Sequence, residues 1–197
     1  PHVLARRQRQ MCIRDRVNAD VDIDIVWVNT WYDPGKEAQA AEVMIAEGCD
    51  MVAQHTDSPA PLQAAQKAGV LGFGQASDQV RFAPKAQLTA TIDNWSPYYI
   101  DKVQAVMDGT WKSGDYFGHM NDDVVQMAPF TNMPAEVEVF AQKIKDGITE
   151  GKYFAFTGPI KDNTGKLQLK DGEIASDGHL NSMMYYVEGI DAKVPGS

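Results

Sequence analysis

The chain repeats one unit near its start: a short apolar run, a polar or aromatic loop, and an alanine-rich segment. Runs of this kind begin at residues 25, 49 and 69, and apolar positions spaced i, i+3, i+4 follow the first two. Unbroken apolar runs are typical of strands buried on both faces, and this spacing is typical of helices packed on a sheet. The sequence therefore predicts an α/β fold, a Rossmann-like, right-handed parallel sheet flanked by helices, whose first strand spans residues 25–30.

The ends of the two helices are marked by residues that favour helix termini. Asp33 and Pro34 predict the start of the first helix, with Asp33 as N-cap and Pro34 at the first helical position, and Gly48 predicts its end. Ser58-Pro59 and Gly69 predict the ends of the second helix in the same way. The residues expected to face the sheet are Ala38, Ala41, Met44 and Ile45, then Leu62, Ala65 and Ala68.

The later part of the chain is less regular. Strands are predicted at residues 87–92 and 124–128, and a hairpin at 156–169 around Asp162-Asn163-Thr164-Gly165. Two further helices are predicted, one from Pro97 to Gly109 and one from Pro134 to Gly151. Their apolar stripes, which have the spacing of packed faces, are Ile100, Val103, Val106 and Met107, then Val137, Phe140, Ile144 and Ile148.

The charge of the chain is unevenly distributed. The net charge is −9, but residues 1–16 hold five arginines against one acid, so they are net +4 and the rest is net −13. A basic arm of this kind could contact nucleic acid or a membrane. However, Met11–Arg16 resembles a peptide produced when sequencing adapter is translated, and residues 1–16 show no strand or helix periodicity. We therefore expect residues 1–16 to be a non-native, unstructured tail that packs against nothing.

Hydropathy and the cysteine count bear on membrane spans and on disulfide bonds. No stretch approaches the roughly 18 apolar residues that a membrane span needs, and 44% hydrophobic residues suffice for a domain with a core. Without Cys12 of the tail, Cys49 is the remaining cysteine, so no disulfide is expected. Cys49 precedes a strand, where a small buried hydrophobic side chain is the usual role and a catalytic thiol is not expected.

Six blocks of sequence follow one another in the order of a known family: residues 26–37, 54–59, 73–78, 82–84, 109–113 and 156–160. The most specific includes Trp31-Tyr32-Asp33-Pro34-Gly35-Lys36-Glu37. Over residues 17 to about 195 the chain resembles the basic membrane protein family of ABC-transporter solute-binding proteins, the purine-binding branch of the type I periplasmic binding proteins.

The resemblance implies two α/β lobes joined by a hinge, with the ligand held between them. Residues 17–91 then form the second lobe, and residues 92–118 form the hinge and a helix returning toward the first lobe. Residues 119–197 supply irregular and hairpin segments that complete the lobes. The first lobe, about 100 to 150 residues by ordinary domain size, is missing, so the chain is expected to be an N-terminally truncated fragment.

A purine needs aromatic faces for stacking and a few polar groups for its edge. The resemblance places Trp31 at the position that stacks on the base; the alternative is a Trp that packs on its own loop. Trp95, at the expected hinge crossing, is a second aromatic candidate.

Polar candidates follow the next two strands. His55, Thr56 and Asp57 lie in a loop that meets the ligand in this family, and Asp57 could accept from an exocyclic amine. The alternative is that residues of this loop merely cap the following helix. Gly74 and Gln75 end the third strand, and Gln75 either hydrogen-bonds a base edge or braces the loop.

Two positions depart from the nucleoside-binding pattern of the family. Its members use an Asp after the third strand and a Lys at the hinge to hold the sugar, and this chain has Ala76 and Asp93 there. The resemblance therefore favours a free nucleobase such as adenine over a nucleoside as ligand.

The expected function is the solute-binding component of an ABC importer, with a purine and the transporter permease as partners. The alternatives are the ligand-sensing domain of a regulator and a purine-processing enzyme, the latter suggested by His55, Asp57 and Asp78. No nucleophile elbow, phosphate loop or paired metal-binding histidines occur, so no catalytic residue, metal or cofactor is expected. We expect a monomer without nucleic-acid contacts, located in the periplasm or otherwise outside the cytoplasm, and attached to the membrane, if at all, as a lipoprotein through a preceding segment.

Overall fold

The computed structural model describes residues 4–8, 23–188 and 194. These residues fall into two compact units: Thr30–Tyr153 form the larger, and the described parts of residues 1–29 and 154–197 form the smaller. The chain thus leaves the smaller unit after Asn29, whereas the sequence-based divisions fall after residues 91 and 118. The strands at residues 87–93 and 125–127 pair with each other within the larger unit, and the division into lobes and hinge stays a prediction.

In chain order the described elements are β1 (Leu4–Gln8), β2 (Ile23–Val26), α1 (Pro34–Ala46), β3 (Met51–Ala53), α2 (Ala60–Ala68), β4 (Leu71–Gly74), β5 (Gln87–Asp93), α3 (Ser96–Met107), a 3-10 turn (Met120–Asp122), β6 (Val125–Met127), α4 (Ala135–Thr149), β7 (Ile160–Lys161), β8 (Leu167–Leu169) and α5 (Asp177–Asn181). Among the residues with a described structure, no helix has the length and apolar character needed to cross a membrane.

A four-stranded sheet in the order β3-β4-β5-β6 forms the centre of the larger unit. β3, β4 and β5 are parallel, and β6 pairs with β5 in the antiparallel direction. Residues Gln87–Ala90 of β5 are all buried, as expected for a strand with a neighbour on each side. The prediction of an α/β fold with a parallel sheet flanked by helices is confirmed.

The core of the larger unit lies where α1 and α2 pack together and onto the sheet. Ala41 of α1 and Leu62 and Ala65 of α2 are at most 1% exposed. They belong to one cluster with Val52 of β3 and with Ala64, Ala83 and Ala86. Small side chains let the helices approach closely, and burial of Leu62 contributes about 2 kcal/mol. The predicted packing is confirmed for Ala41, Leu62 and Ala65, but not for Ala68, which is exposed at the end of α2.

The predicted ends of both helices are also confirmed. Asp33 is the N-cap of α1, and its Oδ1 accepts a hydrogen bond from the backbone N–H of Lys36 at 3.1 Å. α2 begins just after Ser58-Pro59 and ends at Gly69. Gly69 has φ 78°, in the left-handed region that glycine occupies without steric cost.

The position of the first strand is a correction. The sequence predicts a strand at residues 25–30 as a member of the parallel sheet, but β2 ends at Val26 and pairs antiparallel with β1 in a separate two-stranded sheet. Asn29 has φ 52°, a left-handed conformation that cannot continue a strand. Apolar patterning indicates that a strand forms here, but not which neighbour it pairs with.

The apolar stripes of α3 and α4 are largely exposed, contrary to their helical spacing. No residue of α3 is buried, and Ile100, Val103 and Met107 are 68%, 59% and 75% exposed. In α4 only Gly147 is buried, against the ring of Tyr153. Both helices form where periodicity predicts them; the stripe of α3 stays exposed, whereas Ile144 and Ile148 in the stripe of α4 are half-buried.

The smaller unit contains the predicted hairpin. β7 and β8 pair antiparallel on either side of the turn at residues 162–165, which confirms it. Ile160, Leu169 and Val187 form the core of this unit. Trp27, which follows β2, donates from its indole Nε1 to the hydroxyl of Tyr186 at 3.2 Å.

β1 is a strand that the sequence did not predict. Residues 1–16 were expected to be unstructured, yet Leu4–Gln8 pairs with β2. Its sequence, Leu-Ala-Arg-Arg-Gln, lacks the alternation that marks a half-buried strand, so pattern analysis gave no signal. The adapter-like Met11–Arg16 lies outside the described residues, and its non-native origin stays a prediction.

Candidate functional site

The carboxyl ends of β3, β4 and β5 open at one edge of the sheet because these strands are parallel. Ligands bind at this edge in open α/β sheets. The structure places seven of the eight predicted site residues there, at strand ends or in the loops that follow: His55, Thr56, Asp57, Gly74, Gln75, Asp93 and Trp95.

Amide and hydroxyl groups join the first two of these loops. Gln54 donates from Nε2 to Oε1 of Gln79 at 2.7 Å, and Thr56 donates from its hydroxyl to Oε1 of Gln54 at 3.1 Å. Gln79 in turn donates to the backbone oxygen of Gln75 at 3.1 Å. The loop after β3 is thus tied to the end of β4.

Gln75 takes one of the two roles that the sequence left open, and the other, contact with a base edge, stays a prediction. Its Oε1 accepts a hydrogen bond from the Thr91 hydroxyl of β5 at 3.0 Å, which braces the loop. Its Nε2 has no acceptor among the described residues. The side chain is therefore held by its oxygen and offers its amide N–H groups to a neighbour.

The two positions that depart from the nucleoside pattern lie next to each other. The backbone N–H of Asp93 donates to the backbone oxygen of Ala76 at 3.0 Å. Ala76 has φ 60°, a left-handed conformation that residues with a side chain rarely adopt and that recurs at functional sites. Positions 76 and 93 therefore face the same part of the sheet edge.

Asp57 and His55 are both exposed at this edge. The alternative in which Asp57 caps the next helix does not occur, because α2 has Pro59 as N-cap and no side-chain cap. The hydroxyl of Ser58 instead accepts from the backbone N–H of Ala60 at 3.3 Å. Asp57 has no hydrogen-bond partner in the described part of the chain, so its carboxylate is available to a ligand.

Trp31 lies in the loop that precedes α1 and is 84% exposed. This exposure rules out the alternative in which its ring packs on its own loop. The end of the loop is fixed by Asp33, whose carboxylate accepts from the Lys36 backbone N–H and has its pKa lowered mainly by that hydrogen bond.

Glu37 is a residue of this region that the sequence analysis missed. It is 1% exposed, and its Oε1 accepts from the backbone N–H of Asp33 at 2.8 Å. Its Oε2 accepts from the backbone N–H of Ser58 at 3.3 Å and from the Ser58 hydroxyl. The loop that carries Trp31 is thereby joined to the loop that carries Asp57. An acid four residues after an N-cap Asp was the available signal.

Trp95 belongs to an aromatic cluster at the start of α3. Its ring centroid lies 5.8 Å from that of Tyr98 in an edge arrangement and 6.3 Å from that of Tyr99. Tyr116 packs on Tyr98 at 4.7 Å, and desolvation raises the pKa of Tyr116. Trp95 remains 45% exposed, so part of its surface is still open to a ligand.

Gly74 has a structural explanation. It is buried, and a β-carbon at this position would lie 2.7 Å from the β-carbon of Ala90 and 2.9 Å from Oε1 of Gln87. Glycine is thus required for β4 to approach β5. A contact between Gly74 and a ligand stays a prediction.

Among the described residues, no group of three or more His, Cys, Asp or Glu side chains could hold a metal ion. An open depression of about 590 Å³ lies along α4, lined by Gln142, Asp146 and Tyr153 among others, and includes none of the strand-end residues.

Polar loops and exposed aromatic side chains at the carboxyl edge of a parallel sheet are the features of a candidate ligand-binding site in an α/β unit. Residues 15–163 match the family model of Bmp, described as ABC transporter substrate-binding protein PnrA-like. The chain belongs to this family. Substrate-binding proteins of ABC transporters act outside the cytoplasm and deliver solutes to a membrane permease.

Relatives named for their ligands span the same region. The chain is 50% identical over 179 residues to a purine-binding protein of Brucella abortus, covering 91% of this chain and 51% of that protein. It is 29% identical over 181 residues to a Haloferax volcanii protein named as an ABC transporter glucose-binding protein, covering 91% and 44%. The chain therefore spans about half the length of the curated relatives it matches.

A solved structure supports the fold assignment. A transcriptional activator of the comK gene from Bacillus halodurans superimposes with a TM-score of 0.58 at 21% identity. The superposition covers 65% of this chain and 46% of that one. At this identity the likeness concerns the fold alone.

Proposed function

We propose that this chain is one lobe of the solute-binding component of an ABC importer and that the complete protein captures a purine between two lobes. The observation that carries the proposal is the exposed Trp31, in a loop that Glu37 joins to the loop of Asp57. The 50% identity to a purine-binding protein supports it independently. The proposed protein is a monomer that acts outside the cytoplasm, attached to the membrane, if at all, as a lipoprotein.

The chemistry of the site suits a purine. Trp31 offers a flat face for stacking, and Trp95 a second one that is partly open. The Asp57 carboxylate accepts from an exocyclic amine or ring N–H, and the Gln75 amide donates to a ring nitrogen or carbonyl. Thr56 and His55 are further hydrogen-bonding groups in the same loop. These groups bind without a reaction, so the protein is not an enzyme.

A nucleobase such as adenine is the preferred ligand. At positions 76 and 93, a methyl group and a carboxylate replace the Asp and Lys that hold the sugar in nucleoside-binding relatives. A buried ribose hydroxyl without a partner costs about 1 to 3 kcal/mol. Adenosine therefore binds at least about tenfold more weakly than adenine.

The test uses a joined protein, in which residues 17–197 follow the N-terminal half of the Brucella abortus relative. Calorimetric titration with adenine, adenosine and glucose is expected to show binding in that order of affinity, with Trp31→Ala weakening both purine ligands. Tight glucose binding, or no purine binding, would contradict the proposal. Chromatography of adenine after prolonged incubation is expected to return it unchanged, and turnover would show an enzyme.

A second candidate is the ligand-sensing domain of a regulator, because a transcriptional activator shares this fold. The net charge of −13 outside residues 1–16 opposes direct contact with DNA. Reconstitution separates the two: purine-stimulated ATP hydrolysis by the cognate permease in vesicles supports transport. Purine-dependent association with a DNA-binding partner supports regulation.

A further inference from the structure

Glu37 is a buried carboxylate with no ion-pair partner in the described part of the chain. A carboxylate removed from water is costly unless hydrogen bonds replace its hydration. Here three donors do so: the backbone N–H of Asp33 at 2.8 Å, the backbone N–H of Ser58 at 3.3 Å, and the Ser58 hydroxyl. Each carboxylate oxygen of Glu37 accepts hydrogen bonds from a different loop.

These two loops carry the main candidate ligand groups. Asp33 lies two residues after Trp31, and Ser58 directly follows Asp57. Trp31 and Asp57 are themselves exposed and unsupported by side-chain hydrogen bonds in the described residues. The separation between the stacking face and the edge-binding carboxylate therefore depends on the backbone link through Glu37.

We propose that Glu37 is a positioning residue of the ligand site, which sets Trp31 and Asp57 at the spacing that a purine requires. This role rests on the proposed function. Misplacing a binding group by a small distance is enough to lose most of its contribution. A residue that merely supports folding would instead lower the melting temperature and leave the affinity of the folded protein unchanged.

The first measurement does not use a ligand. Amide hydrogen exchange of Asp33 and Ser58 is followed by NMR in the 197-residue chain and in Glu37→Ala, Glu37→Gln and Glu42→Ala. Glu42 is the matched control, an exposed acid of the same helix that lies 3.8 Å from Lys67. We expect both amides to exchange about tenfold faster or more in Glu37→Ala. Glu37→Gln keeps one acceptor oxygen, so one of the two amides should stay protected. In Glu42→Ala both amides should stay protected.

The second measurement is adenine affinity in the joined protein, taken well below the melting temperature of each variant. We expect Glu37→Ala to weaken binding about tenfold or more, Glu37→Gln and Ser58→Ala to fall between it and wild type, and Glu42→Ala to have no effect. In a double-mutant cycle, the loss caused by Glu37→Ala should shrink once Trp31 is already Ala. Two independent effects would add instead.

The outcomes separate this proposal from the proposed function. Unchanged exchange of both amides in Glu37→Ala overturns the positioning role, whatever the ligand. Faster exchange together with an adenine affinity equal to that of Glu42→Ala also overturns it, because the link would then not serve the site. If the wild-type joined protein binds no purine, the proposed function fails, and the exchange data alone decide whether Glu37 joins the loops.

Discussion

Asp162 lies in the turn between β7 and β8, and its carboxylate accepts hydrogen bonds from Thr164, Lys166 and Gln168 at 2.6 to 3.1 Å. The Thr164 hydroxyl is the largest cause of a pKa lowered from 3.8 to about 2. Because the pKa is depressed in the folded state, the contribution of Asp162 to stability is present above about pH 4. It is lost as the pH falls through about 2.

Removing that hydroxyl is the first residue-scale prediction. In Thr164→Val the pKa of Asp162 should rise toward its ordinary value. The contribution of Asp162 to stability should therefore be lost at a higher pH than in the wild type. Carboxyl carbon NMR during a pH titration measures the pKa directly. Thr157→Val is the control, because Thr157 donates to Phe154 instead. An unchanged pKa in Thr164→Val would contradict this account of the turn.

The second prediction concerns ligand choice. Positions 76 and 93 are adjacent through a backbone hydrogen bond of 3.0 Å, so Ala76→Asp combined with Asp93→Lys should restore partners for a ribose. In the joined protein this double variant is expected to narrow the preference for adenine over adenosine. Competitive titration of the two ligands measures the ratio. A wild-type preference for adenosine would mean that other residues hold the sugar.

The sequence located the candidate site residues better than the residues whose hydrogen bonds hold their loops in place. Trp31, Asp57 and Gln75 follow apolar runs, and a strand end needs only the period of the run to be located. Glu37 was missed because its partners are Asp33, four residues away, and Ser58 in another loop. Contacts between loops depend on the packing of α1 against α2, which no local pattern specifies.

At the scale of elements, the helices of the larger unit divide into packed and uncovered ones, which gives a third prediction. Leu62→Ala in α2 removes a fully buried side chain and should cost about 2 to 5 kcal/mol of unfolding free energy. Val103→Ala in α3 removes a side chain that is 59% exposed and should change the unfolding free energy by no more than about 0.5 kcal/mol. Urea unfolding measures both. Equal losses would show that α3 is packed after all.

β1 gives a fourth prediction. An isolated two-stranded sheet is marginal in water, so deleting residues 1–16 should leave the melting temperature unchanged within error, even though Leu4–Gln8 pairs with β2. Differential scanning calorimetry of the two chains measures this. A clear fall in melting temperature would show that β1 is part of the stable fold and that the tail is native.

Element by element, the helices, the hairpin and the parallel pairing of β3, β4 and β5 were predictable, and the pairing of β1 with β2 was not. Asp33-Pro34, Gly48 and Gly69 fix helix ends through local backbone chemistry, which sequence displays. β2 was assigned to the wrong sheet, and β1 was missed. Backbone pairing between strands depends on which surfaces are covered in three dimensions.

At the scale of the whole molecule, the chain spans 51% of the length of its purine-binding relative. A ligand held between two lobes loses one stacking face and most of its shielding from water when one lobe is absent. Stacking alone is worth about 1 to 3 kcal/mol per base. The fifth prediction is that the 197-residue chain binds adenine at least about tenfold more weakly than the joined protein. Submicromolar binding by the chain in calorimetry would show that a second lobe is dispensable.

Neutral side chains make several of the connections between the loops after β3 and β4 and strand β5: Gln54, Thr56, Gln75, Gln79 and Thr91. Amides and hydroxyls of this kind carry no proton that comes off between about pH 4 and pH 9. They also attract no counterions, so salt does not screen them. Outside the cytoplasm, both the pH and the salt concentration vary. Acidity and salt should therefore leave these neutral links unchanged and act instead on carboxylate links, such as the one from Gln87 to Asp78 at 2.7 Å.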